Sequence, residues 1–241
     1  MWVPRWLGEV YCELYAEFGT KEFEFGQALE RLGRNERELR VFLSGLRRCG
    51  FVDVLGRKGR KRVYRVADPA EVAMLLGKKI DLRGLPEVIR PVLRSYLRGL
   101  FERYGERVVS VVLYGSFGRG EYARESDIDL LLVIEGYHWR ESLSFDTADE
   151  LALKQWRLSG HYHKVVPYPL TPEQARYHRP IYLDMTVDGR VLYDRGGFIT
   201  NILDGVRRRL AELGAKRCRL PSGARYWVLK PDLRPGEVVE I

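Results

Sequence analysis

Seventeen residues, Leu113 to Asp129, constrain the fold of this 241-residue chain more than any other stretch. Val108–Tyr114 is a near-continuous apolar run, the pattern of a strand buried on both faces. Gly115-Ser116 then breaks it, ten residues intervene, and Asp127-Ile128-Asp129 opens a second apolar run to Ile134. The reading is strand, tight turn, short basic linker, strand. Carboxylates at i and i+2 of a strand point to one face. Two hard oxygen ligands on one face suit Mg²⁺ (or Mn²⁺), which is usually held by few carboxylates together with substrate phosphates. The backbone N–H groups of a Gly-Ser turn can meet a phosphate. Read blandly, the same residues are a surface turn and an acid pair at a strand start. That reading leaves carboxylates on an apolar strand with an uncompensated burial cost.

Gly115-Ser116, the ten-residue spacing and Asp127-Ile128-Asp129 resemble the signature of nucleotidyltransferases related to DNA polymerase beta. Gly-Ser-Phe-Gly-Arg-Gly-Glu followed by Ser-Asp-Ile-Asp-Leu-Leu-Leu-Val is most similar to the minimal nucleotidyltransferases of archaea and bacteria, over roughly residues 105–195. The resemblance implies a mixed sheet flanked by helices. It implies a nucleoside triphosphate, ATP in expectation, with phosphates against Gly115 and Ser116, Arg119 neutralising their charge, and the metal on Asp127 and Asp129. An acceptor hydroxyl then attacks the α-phosphorus and pyrophosphate leaves. The acceptor could be a protein, as when minimal nucleotidyltransferases act as antitoxins on a partner toxin, or RNA, or a small molecule.

Full enzymes of that superfamily place a third acid on a neighbouring strand. His161–Tyr168, the natural location, contains no Asp or Glu. Asp184 is the next candidate catalytic acid. If Ile181–Val187 is a strand, Asp184 shares the face opposite Ile181, Leu183, Met185 and Val187 and completes the site. If Pro180 starts a helix, Asp184 is a bystander or another kind of ligand. Without the third acid, the competing function is a DNA-binding regulator whose nucleotidyltransferase domain binds nucleotide without turnover. Asp194 reads as a loop acid, and His161 and His163 as sharing a strand face without metal partners.

Residues 1–67 read as a separate module. Trp6–Phe18 and Phe25–Leu32 have helical apolar spacing. A third helix starts from an Asn35 cap with Glu38 at N3, buries Leu39, Phe42, Leu43 and Leu46, and ends at Gly50. Phe51–Leu55 and Arg62–Val66 form a hairpin around Gly56-Arg-Lys-Gly-Arg-Lys61. Three helices and a basic hairpin resemble a winged helix-turn-helix domain. In that family the third helix and the wing meet DNA, which gives Arg37, Arg40, Ser44, Arg47, Arg57, Lys58, Arg60, Lys61 and Arg62 as candidate contacts. Each phosphate contact adds affinity and salt dependence.

The expected fold class is therefore α+β. The expected segments are the winged module (1–67), a helical connector (68–104), the nucleotidyltransferase domain (105–195), and a C-terminal helix and hairpin (196–241). The net charge of +8, with 32 Arg against nine Lys, favours an anionic partner. No run approaches a membrane span. Cys12, Cys49 and Cys218 are scattered, and Met1-Trp-Val-Pro-Arg5 lacks a secretory layout, so the expected compartment is the cytoplasm.

Overall fold

The computed structural model describes residues 4–234 and 237–239; the outermost residues of the first and last expected segments lie outside them. Among the described residues no helix is long and apolar enough to cross a membrane, and the three cysteines are free.

The N-terminal part comprises α1 (Arg5–Phe18), β1 (Glu22–Glu24), α2 (Phe25–Leu32), α3 (Glu36–Cys49), β2 (Val52–Lys58) and β3 (Lys61–Val66). The Asn35 side chain accepts from Glu38 N at 2.8 Å and caps α3, and Gly50 closes it at φ +79°. The hairpin strands β2 and β3 are joined on the β3 side by β1, giving the order β1-β3-β2, all antiparallel. Strand β1 was not evident from sequence: three residues are too short for an alternation to register. Leu7, Val10, Leu14, Ala28, Leu39, Leu43 and Leu46 pack with Phe23, Val52 and Tyr64 in one apolar core.

Two helices, α4 (Pro69–Gly77) and α5 (Arg90–Tyr104), lead to β4 (Val108–Leu113). Next come α6 (Gly115–Arg119), β5 (Ile128–Ile134), α7 (Asp146–Ser159), β6 (Val165–Leu170), α8 (Pro172–Ala175), α9 (Pro180–Asp188) and β7 (Arg190–Asp194). The chain continues with α10 (Phe198–Glu212) and the hairpin β8 (Lys216–Arg219) and β9 (Arg225–Val228). The central sheet runs β6-β5-β4-β7 and is mixed: β5 and β6 are parallel, the other pairs antiparallel.

The pleat sorts β5 onto two cores. Ile128, Leu130, Leu132 and Ile134 pack with Leu93, Leu97 and Leu100 of α5 and with Leu151 of α7. Leu131 and Val133 pack with Tyr182 and Met185 of α9 and with Ile199 and Leu203 of α10. Asp127 and Asp129 share the parity of Leu131 and Val133, and so emerge on the α9–α10 side of the sheet.

The join between the N-terminal part and the rest is charged. Arg94 of α5 is 2% exposed and contacts Asp53 of β2, Glu71 of α4 at 2.9 Å and the Gly50 carbonyl at 3.1 Å. Arg65 of β3 joins from the other side, 3.3 Å from Glu71. Burial alone would lift the Glu71 carboxyl; the Arg94 and Arg65 charges overcome it and hold the group below its ordinary range. Two carboxylates and two guanidinium groups thus close a buried, balanced network. Arg65 is fully committed here, so it is unavailable to an external phosphate.

Candidate active site

The expected turn after β4 is a short helix. Tyr114 is extended, Gly115 takes φ +69°, and residues 115–119 wind one turn before Gly120 ends it at φ +76°. The Tyr114 N–H still pairs with the Asp129 carbonyl at 3.0 Å, so α6 sits against the start of β5. The other end of α6 abuts α9: a Cβ on Gly118 would lie 2.7 Å from the Asp188 carbonyl oxygen.

Gly115 makes the closest approach. A Cβ there would lie 1.9 Å from Asp129 Oδ2. Only glycine lets this carboxylate lie over the helix start, and the positive φ demands it independently. Gly115→Ala is expected to displace the Asp129 carboxylate and cost about 1–2 kcal/mol of backbone strain. Urea unfolding checks the strain, and nucleotide affinity should fall with it.

Asp127 and Asp129 are both partly exposed. Among the described residues neither carboxylate takes a hydrogen bond or an ion pair. Burial raises the Asp129 carboxyl above its ordinary range, the neighbouring Asp127 charge raises it further, and Arg119 pulls it down. Two mutually repelling, unpartnered carboxylates beside a glycine cradle fit a divalent cation. No group of three His, Cys, Asp or Glu able to hold a metal exists among the described residues, so the remaining ligands would have to come from substrate and water. Arg119 ends α6 with its Nε buried and without a hydrogen bond, 3.8 Å from Glu121 Oε2.

Of the two readings open for Ile181–Val187, strand or helix, the helix forms: it is α9, with Pro180 at its first turn. Asp184 points away from completing a three-acid set: its Oδ1 accepts from Trp227 Nε1 at 3.0 Å and pairs with Arg217 at 3.1 Å. Asp194 is not a loop acid. It ends β7 and accepts from Ser110 Oγ at 2.7 Å and from the Ile199 and Thr200 N–H groups at 3.0 Å, fixing the entry to α10.

His161 and His163 do not share a strand face, because β6 begins only at Val165. His163 is fully buried, lies edge-on to Phe117 at 5.0 Å, and donates from Nδ1 to the Ser126 carbonyl at 2.7 Å. Burial lowers its pKa and so favours the neutral ring. It braces the backbone one residue before Asp127. Its place before β6, which pairs with β5, was the only signal in the sequence.

The candidate nucleic-acid residues fall into two groups. Arg40, Ser44 and Arg47 of α3 converge with Arg62 of β3 on a cavity of about 160 Å³ that also touches Phe25, Leu43 and Tyr64. Arg47, Arg57 and Arg62 line a second opening that reaches Leu158, Ser159 and His161. At the hairpin tip, Lys58 and Lys61 pair with Glu22 and Glu24 of β1 at 3.5 and 3.1 Å. Arg60 is exposed there, and Arg37 is exposed on α3; neither lines the cavity or the opening.

Residues 93–184 match the family described as nucleotidyltransferase domain. Two proteins of Methanocaldococcus jannaschii, provisionally named protein adenylyltransferases, are similar. MJ0604 is 28% identical over 105 residues, 42% of this chain and 94% of that one. MJ1305 is 21% identical over 123 residues, 50% of this chain and 82% of that one. A toxin-antitoxin crystal structure with AMP-PNP aligns with 49% of this chain and 90% of its own, at 16% identity and a TM-score of 0.28. The matched segment contains α6, Asp127 and Asp129, and it is a nucleotidyltransferase domain similar to the two archaeal proteins over most of their length.

Proposed function

We propose that the chain transfers AMP from ATP to a protein hydroxyl. The single observation that carries this is the convergence of Gly115, Ser116 and the two unpartnered carboxylates Asp127 and Asp129 at one end of β4 and β5. The provisional names of the two archaeal relatives support adenylyl as the group and protein as the acceptor class.

Asp127 and Asp129 would hold a divalent cation, Mg²⁺ or Mn²⁺, which supplies charge neutralisation on the phosphates and stabilises the attacking and leaving oxygens. The N–H groups at the start of α6 and the Ser116 hydroxyl face the phosphates. Arg119 adds a fixed positive charge. The acceptor oxygen forms the new bond to the α-phosphorus as the bond to the bridging oxygen breaks. Pyrophosphate departs and the hydroxyl proton goes to solvent. Positioning and charge stabilisation do most of this work. A third protein carboxylate is not required by this reading, and Asp184 has no part in it.

Incubating the protein with α-labelled ATP, Mg²⁺ and a cell extract tests the acceptor class. The expected label resists nuclease and is lost to protease. A nuclease-sensitive label would transfer the acceptor to RNA.

The helix-strand order of the N-terminal part, with its hairpin after α3, supports a winged helix-turn-helix reading over residues 1–67 and DNA as its partner. Residues 68–104 then serve as connector, 105–195 as the transferase and 196–241 as a C-terminal cover. Because Glu22 and Glu24 offset the tip lysines, Glu36 offsets Arg40 and Glu87 offsets Arg47, phosphate affinity resides in Arg57 and Arg62, which line the opening with no ion pair among the described residues. Arg57→Ala combined with Arg62→Ala is expected to weaken binding of a fluorescent DNA duplex and to flatten the log-affinity against log-salt slope by about two. Lys58→Ala with Lys61→Ala should leave both nearly unchanged. Anisotropy titrations over a salt series read the difference; equal effects of the two pairs would move the contact to the tip.

A further inference from the structure

We propose that Arg225, on the C-terminal hairpin, is a positioning residue for the nucleotide site: by holding Glu121 it leaves Arg119 free to face phosphate. The inference rests on the reading of Arg119 as a phosphate partner. It assigns a role to a part of the chain outside the matched domain.

Glu121 follows Arg119 by two residues and is a carboxylate within ion-pair range of it. Yet its oxygen stands 3.8 Å from Arg119 Nε, and no hydrogen bond forms. Both of its oxygens are instead taken by Arg225 Nη2, at 2.6 and 2.7 Å, across 104 residues of sequence. A carboxylate already engaged by one guanidinium is a poorer partner for a second. Without Arg225, Glu121 is a nearby anion that can fold onto Arg119 and neutralise it before a triphosphate arrives.

The hairpin is well placed to hold this arrangement. Arg217 of β8 pairs with Asp188 at 2.5 Å and Asp184 at 3.1 Å, and Trp227 of β9 donates to Asp184. Trp227 also packs against the core that contains Tyr182 and Met185 of α9. Helix α9 in turn abuts α6 through Asp188 and Gly118. Asp184 is therefore an anchor for the hairpin, and Arg225 is the hairpin's contact with the loop after α6. The charges around this contact are Glu121, Arg119, Asp127 and Asp129 from the α6–β5 segment, Arg219 of β8, which is the register partner of Arg225, and, further along the hairpin, Arg217 with Asp184 and Asp188 of α9.

Equilibrium binding of a fluorescent ATP analogue in MgCl₂ tests the proposal without an acceptor. Arg225→Ala is expected to weaken binding about fivefold, the upper range for a partly exposed ion pair, with an unchanged melting temperature. Glu121→Gln in the same chain is expected to restore wild-type affinity, since the glutamine cannot neutralise Arg119. Arg225→Lys should recover part of the loss. A double variant as weak as Arg225→Ala alone, or a single variant with unaltered affinity, overturns the proposal. Arg119→Ala, measured alongside, separates the two readings. If it weakens binding while Arg225→Ala does not, only the role of Arg225 falls. If it leaves binding unchanged, the phosphate role of Arg119 falls and the role of Arg225 with it.

Discussion

Asp129→Asn is expected to reduce nucleotidyl transfer by at least about a hundredfold while making the cation-free protein more stable at neutral pH. The two effects share one cause. Asp129 is half-buried beside Asp127, with no hydrogen bond or ion pair among the described residues, and burial followed by the Asp127 charge lifts its pKa despite Arg119. A carboxyl with a folded pKa above its unfolded value penalises folding once pH exceeds the unfolded value. The penalty grows until pH passes the folded value, then stays constant. Asparagine removes it. Melting temperatures in chelator should therefore rise for Asp129→Asn at about pH 7 and converge with wild type near pH 3, where both states are protonated. Added Mg²⁺ should stabilise wild type and leave the variant unmoved. A variant that melts below wild type at neutral pH would show that Asp129 has a stabilising partner. On the proposed function, the repulsion between these two carboxylates is what a bound cation would relieve.

The second large effect concerns the join between the two halves of the chain. Arg94→Ala is expected to cost about 3–5 kcal/mol in urea unfolding, because it leaves Asp53 and Glu71 buried with only Arg65 to balance them. Adding Glu71→Gln to Arg94→Ala should recover a large part of the loss, since one carboxylate against one guanidinium is again balanced. Limited proteolysis of Arg94→Ala should cut first between residues 67 and 90, where the network is the tie. A loss below about 1 kcal/mol would mean that water already reaches the cluster. The contact is not limited to charge. Gly56 of β2 lies so close to α7 that a Cβ would stand 2.6 Å from that of Leu158. The hairpin therefore rests on the helix leading to His163, which braces the residue before Asp127.

Much of this was legible where short-range chemistry decides. The apolar runs of β4 and β5, the i and i+2 acids, the Asn35 cap and the Gly50 stop are set by neighbours within four residues, and each appears as expected. Asp184 shows the limit. Ile181, Leu183, Met185 and Val187 alternate like a strand, but Tyr182, Met185 and Thr186 are the buried positions, a helical spacing that Pro180 initiates. Packing on α10 selected the helix, and local alternation could not reveal that. Arg94 was equally hidden. Its position on the packed side of an amphipathic helix gave no sign of a charge, because its partners are 41 and 23 residues away. His163 was misplaced for the same reason, since it serves the Ser126 carbonyl 37 residues away. Asp194 was misplaced because its strand is fixed by pairing with β4, where Ser110 lies 84 residues away, although the α10 N–H groups that it caps are only five and six residues on.

The most direct test of transfer at Gly115, Ser116, Asp127 and Asp129 compares two labels on ATP. With label on the α-phosphate, wild-type protein, Mg²⁺ and a protein acceptor fraction should yield labelled protein. With label on the γ-phosphate, all radioactivity should leave as pyrophosphate. Asp127→Asn should give neither product. Label from the γ-phosphate on the acceptor would make the reaction a phosphoryl transfer and contradict the account. Full activity of Asp127→Asn would contradict it as well, by removing the carboxylate pair from the chemistry.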